Sequence, residues 1–325
     1  MNRHAGVDRK PATLEFVGHI ELPGHIRPGG FDHAAVHRGT ARLYVAHTAN
    51  DAVDVIDCAS DRYLHSIAGL TGVAGVLVSE QQDLVFTSNR GEDSVGIFCA
   101  LTQAELARVA VGVRPNGLAH DHRRNRLLAA NVGDPARPKS FTASVVDVAR
   151  RERIAEIPMP GRTRWAVYDA RRDVFFVNIA DPARIVVIPG EDPVRIVAAY
   201  DVPATGPHGL DLDPERGRLF CACDAARLVC LDADSGQVLD ELELSGAPDV
   251  VFLNRALAHL YVAIGDPGLI DVIDTRAWQR IESIPTEKGA HTLGFDPDRN
   301  KVYAFLPGTH RAAVYRDGVD RRSPQ

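Results

Sequence analysis

The chain has 325 residues, 45% of them hydrophobic but only 6% aromatic, and a formal net charge of −6 with no run of five lysines or arginines. That balance speaks against a nucleic-acid partner, and no stretch approaches the ~18 apolar residues of a membrane span, so the expected partner is a small polar molecule. With so few aromatic rings, small and β-branched side chains must fill a core large enough for one or two domains.

Residues 1–11 mix Arg, Lys, His and Pro without pattern and are expected to form a disordered lead. No apolar run of about 7–15 residues follows those charges, so no signal peptide is visible and the chain reads as cytoplasmic. Residues 12–22, containing TLEFVGHIEL, resemble the last strand of a unit that recurs along the rest of the chain. The clearest copy is 206–244: four short apolar runs separated by Asp213-Pro214, Asp224-Ala225 and Asp234-Ser235-Gly236. Such spacing predicts a four-stranded antiparallel meander. Helices do not fit between breakers so close together.

Alignment of the residue that begins each first strand gives Gly30, Gly75, Gly117, Trp165, Gly209, Val250 and Thr292, with steps of 45, 42, 48, 44, 41 and 42 residues. Seven meanders at this period predict an all-β, seven-bladed β-propeller. The last unit supplies only three strands (292–295, 301–306 and 312–315), so residues 12–22 are expected to complete it. One domain over 12–318 follows, with 319–325 as a disordered tail. Blade three carries a longer connection between Asn131 and Ser144. Gly-Asp-Pro at 133–135, Ala-Asp-Pro at 180–182 and Gly-Asp-Pro at 265–267 read as type I turns. The five cysteines have no framework spacing and read as buried small hydrophobes; a tight hairpin would set Cys230 beside Cys221.

Leu43-Tyr44-Val45-Ala46-His47 followed by Val53-Asp54-Val55-Ile56-Asp57 resembles the YVTN repeat of the YncE-like propeller family, and Leu260-Tyr261-Val262 with Asp271-Val272-Ile273-Asp274 repeats it. Phe86-Thr87-Ser88-Asn89 and Phe175-Phe176-Val177-Asn178 are looser copies. The resemblance spans about residues 13–316 and implies architecture. Propellers similar to this one include lactonases and the streptogramin lyase as well as binding scaffolds, so it implies a hydrolase or lyase, with a non-catalytic scaffold as the alternative. The paired Glu and His of one blade and the acidic cluster of calcium lactonases are both missing here.

In a propeller the loops leading into the first strands and those between strands two and three share one face. The residue before each aligned start is Gly29, Ala74, Asn116, Arg164, His208, Asp249 and His291. Five consecutive polar residues at one register are not a folding requirement. They are the predicted site, with Gly29 and Ala74 leaving room for a ligand. His208, Asp249 and His291 could hold one divalent ion (Zn²⁺, Ca²⁺ or Mg²⁺). Equally, either histidine could be a general base oriented by Asp249, with Arg164 stabilising an oxyanion. Asn116 is expected to bind substrate. So are His47, Asn89, Asn131 and Asn178, at or near the Asn of the YVTN pattern, and His25 and Arg114 from the lead-in loops. His33 and His120 share an apolar register and read as core histidines. The sequence points to no organic cofactor.

Overall fold

The computed structural model describes residues 13–318; the expected lead (1–11) and tail (319–325) lie outside the described residues, as does Ala12 of the expected closing strand. Seven four-stranded antiparallel sheets follow one another along the chain. Their inner strands are Ala34–His37, Val73–Ser79, Pro115–Asp121, Thr163–Asp169, Pro207–Asp213, Pro248–Asn254 and Thr292–Asp296. Each inner strand packs against the next, and that of blade seven against blade one, so the ring is closed: a seven-bladed β-propeller. The described residues contain no α-helix, and no helix long and apolar enough to cross a membrane.

Leu14–Glu21 forms the outer strand of blade seven, running antiparallel to Arg311–Asp317 from Leu14↔Asp317 to Glu21↔Arg311. The missing fourth strand is thus supplied from the other end of the chain, which removes the free sheet edge.

Burial rises and falls along each blade for a simple reason. Second and third strands lie between two neighbouring sheets, so both of their faces are covered. Leu84–Asn89, Arg126–Asn131 and His259–Ile264 are buried at every position after the first. Outer strands meet a neighbour on one side at most, and Val238–Glu243 is almost wholly exposed. Seven apolar clusters fill the gaps between blades. Two tyrosines among them show how a buried hydroxyl keeps a polar partner: Tyr44 Oη donates to Ala100 O at 3.1 Å and Tyr303 Oη to Asp61 Oδ1 at 3.1 Å. Such bonds avoid the cost of a stranded hydroxyl.

Three expectations need correction. Ala34 pairs with Val45 and Ala46 N donates to His33 O, so blade one begins at His33, not Gly30. Its step to Gly75 is then 42 residues, matching the other blades. Cys230 sits opposite Phe220, not Cys221, and faces a different inter-blade cluster. The Asp181-Pro182 and Asp266-Pro267 peptide bonds are cis, which a type I turn with Pro in its second position does not contain.

Candidate functional site at the channel mouth

The corrected register places Asp32 of blade one in the same ring as Ala74, Asn116, Arg164, His208, Asp249 and His291. Three glycines explain how the strands come close enough for these side chains to meet. A Cβ on Gly75 would lie 2.2 Å from Asn116 O, one on Gly117 2.4 Å from Arg164 O, and one on Gly209 2.2 Å from Asp249 O. Each glycine therefore admits the backbone of the next blade's ring residue.

Just below the mouth, His33 and Trp165 occupy the glycine register and meet across the channel, their rings tilted by 34° with centroids 3.9 Å apart. Trp165 also packs on the apolar clusters of blades four to seven. Burial pushes the pKa of His33 below the usual histidine value, against the pull of Asp32 and Asp249. His33 is an interior histidine as expected, but its register is that of Trp165. His120, against Phe86 and 3.0 Å from Asn125 Oδ1, is the other, its pKa lowered to about 4 chiefly by burial.

Above this plug, blades five to seven form one hydrogen-bonded chain. His291 Nδ1 donates to Asp249 Oδ2 at 2.7 Å, and His208 Nε2 lies 3.1 Å from Asp249 Oδ1. His208 Nδ1 donates to Asp224 Oδ1 at 2.7 Å, while Arg164 Nη1 is 3.1 Å from His208 Nε2 and Nη2 is 3.4 Å from Asp224 Oδ2. Burial alone would lower the pKa of His208, but Asp249 and Asp224 outweigh it and raise it to about 9 despite Arg164. His291 is likewise raised: burial opposes, Asp249 wins. Asp249 is held well below the ordinary carboxylate range, because the two imidazoles overcome its desolvation. At neutral pH His208 is an imidazolium between two carboxylates.

Blades two to four supply the opposing charge. Arg90 Nη2 donates to Asn116 Oδ1 at 2.5 Å and Nη1 is 3.4 Å from Asp32 Oδ2. Arg162 is depressed by desolvation and then by repulsion from Arg164, Arg114 and Arg90, so the four guanidiniums share one region. Four guanidiniums and the His208 cation gather at the mouth with Asp32, Asp224 and Asp249, while Asp93 and Asp134 stand beside Arg114. A cavity of about 340 Å³ opens beside it, lined by Gly29, Gly30, Phe31, Asp32, Thr48, Gly289, His291 and Pro307. Of the two positions expected to leave room, Gly29 borders this cavity although it lies outside the corrected ring, and Ala74 does not line it. A larger cavity of about 530 Å³ lies at the opposite face, around Arg123, Tyr168, Arg171 and Arg255. No histidine lines it, and its Asp169 is bonded to Arg172 at 2.8 Å, so the candidate site is the smaller cavity.

The expected second ring does not line the mouth. His47, Asn89, Asn131 and Asn178 are all fully buried. Asn89 Nδ2 donates to Ser94 Oγ, Asn131 Nδ2 to Thr142 Oγ1 and Ser144 Oγ, and Asn178 Nδ2 to the carbonyls of His208 and Gly209. These amides bind strands together, and Asn178 lies one position before the register of the others. His25 packs on His47, Phe31 and His310, away from the His208–Asp249–His291 chain. Arg114 stands with the arginine group. Sequence reasoning missed Asp32, Arg90 and Asp224. The last two each directly follow the final residue of a second strand, a shared position that could have revealed them.

No protein-family model matches the chain, and no curated protein matches its sequence. Among solved structures it is similar to a chain of Kuenenia stuttgartiensis hydrazine synthase, at 14% identity and a TM-score of 0.79, covering 92% of this chain and 98% of that one. It is also similar to a chain in a crystal structure of a mitotic checkpoint complex, at 12% identity and a TM-score of 0.80, covering 97% and 95%. At these identities the likeness concerns the propeller fold alone.

Proposed function

We propose that the protein binds a small anionic molecule at this mouth and performs acid–base chemistry on it, in the hydrolase or lyase class suggested by the YVTN-like repeats. The observation that carries the reading is Asp249, whose two oxygens each hold a histidine. Asp249 fixes His291 through Nδ1–H. The His291 ring is 37% exposed at the cavity edge, and its Nε2 has no hydrogen-bond partner among the described residues. That is the arrangement of an oriented general base: Nε2 takes a proton from substrate or water, Asp249 stabilises the resulting imidazolium, and the proton returns to the leaving group. His208, held as a cation, and Arg164 supply positive charge for a carboxylate or developing oxyanion.

A divalent ion at His208, Asp249 and His291 would first have to separate nitrogens and oxygens that face one another at 2.7 and 3.1 Å. As they stand, no three such donors among the described residues converge on a metal position. The acid–base version therefore needs the least rearrangement. Stoichiometric metal in purified protein, lost in His208→Asn, would favour the metal version instead.

The test is a panel of lactones, esters and small carboxylates and phosphates, assayed for turnover by NMR and for binding by calorimetry. His291→Gln should abolish turnover while leaving binding intact, and Arg164→Gln should weaken binding by about tenfold or more, the loss of one charge-assisted contact. Turnover that survives His291→Gln refutes the catalytic role. Binding without turnover in the wild type supports the scaffold alternative.

A further inference from the structure

Outside the mouth, the described residues contain one other concentration of imidazoles. His25 comes from the loop after the closing strand, His47 from the end of Arg42–His47, and His310 from the turn before Arg311–Asp317. The ring centroids of His25 and His47 are 5.0 Å apart, and those of His25 and His310 4.3 Å. His25 Nε2, His47 Nε2 and His310 Nδ1 are all shielded from solvent and lack a hydrogen-bond partner among the described residues. Three orphaned nitrogens in one cluster require an explanation. By contrast, His208 at the mouth has both nitrogens engaged.

We propose that His25, His47 and His310 form a site for a late first-row divalent transition ion, with Zn²⁺ as the reference case. Imidazole donors suit such ions, and rings bound at ~2.1 Å to one ion stand with centroids roughly 5 Å apart, as His25 and His47 do. His25 joins the other two rings, and His310 has to approach His47 for all three to share the ion. The fully buried His47 is already oriented for the task. Its Nδ1 donates to Asp54 Oδ2 at 2.7 Å, leaving Nε2 as the free donor, and Ser66 Oγ holds the other Asp54 oxygen at 2.6 Å. A carboxylate behind a histidine is how metal-binding imidazoles are fixed. The three free nitrogens do not yet meet at one point. Binding would require the two half-buried rings, His25 and His310, to reorient inward, and χ2 is a broad torsion for histidine. The ion would join the lead-in loop, blade one and the last turn of blade seven, so it would clasp the ring where the chain closes it.

The probe is Zn²⁺ alone, added to metal-free full-length protein and followed by calorimetry and by melting temperature. One Zn²⁺ per chain and a higher melting temperature are expected. His25→Ala and His310→Asn lie outside the strands, and Asn tolerates the left-handed backbone of residue 310 (φ 56°). Each should weaken Zn²⁺ binding at least tenfold (~1.4 kcal/mol at 25 °C) while the metal-free melt is unchanged. Asp54→Asn, behind His47, should weaken it by about 10–100-fold. Absence of Zn²⁺ binding, unchanged affinity in both loop variants, or loss of the ion in His208→Asn with retention in His25→Ala would each overturn the proposal. The last result would move the metal to the mouth and count against His291 as a metal-free base as well, whereas the first two leave that role untouched.

Discussion

The His208 ion pairs make stability depend on pH in a window where few other groups titrate. In the unfolded chain His208 ionises near 6.5, and in the folded protein near about 9. Between these values the folded state holds a proton that the unfolded state has released. The contribution is therefore complete below 6.5 and disappears as pH rises through about 9. At about 1.4 kcal/mol per pH unit, that separation corresponds to ~3 kcal/mol, from a ring only 16% exposed. His291 adds in the same direction. The depressed Asp249 describes the same contacts from the carboxylate side; it governs the acid limb and is not counted again. The assay is urea unfolding of the wild type and His208→Asn from below pH 6.5 to above pH 9. Wild type should lose stability across the window, and the variant should lose markedly less. An equal fall in both, or none in the wild type, would refute the assignment of a charged His208.

Two further expectations concern the frame around the site. Gly209→Ala places a Cβ 2.2 Å from Asp249 O, a backbone atom that can move only with its strand. It should cost about 1–3 kcal/mol in unfolding free energy and return the His208 titration, read by NMR, toward 6.5; a variant of wild-type stability would show that blade six gives way freely. Deleting residues 13–22 removes the buried Leu14 and Ile20 and uncovers the outer edge of blade seven, with the core side chains they pack on, Tyr315 and Val314 among them. A lower melting temperature and self-association in light scattering are expected, and a monomer of unchanged melting temperature would contradict the closure.

Much of the fold was legible because each blade is a local hairpin series whose turns and alternation are written in adjacent residues. Six of the seven strand starts stand at one structural register. Blade one failed because Gly29-Gly30 imitates a strand start, while the true one carries His33, a large ring that no local rule places there. At the mouth, residue type at a fixed register was enough to bring together Arg164, His208, Asp249 and His291. Which carboxylate meets which imidazole depends on how closely blades approach, and that is fixed by glycines in different repeats. The second ring misled for the opposite reason. An Asn at the end of a second strand is polar at a loop, yet the covering blades bury it and turn its amide to holding strands together.

The contact of His33 with Trp165 sets an imidazole and an indole across the channel beneath the mouth. A solute entering at the mouth would meet these rings before it reached the arginine-lined cavity on the far side. A ligand arriving and one departing would then share the same opening. The two faces can also evolve separate partners, since a ligand on one is screened from the other by an indole and an imidazole.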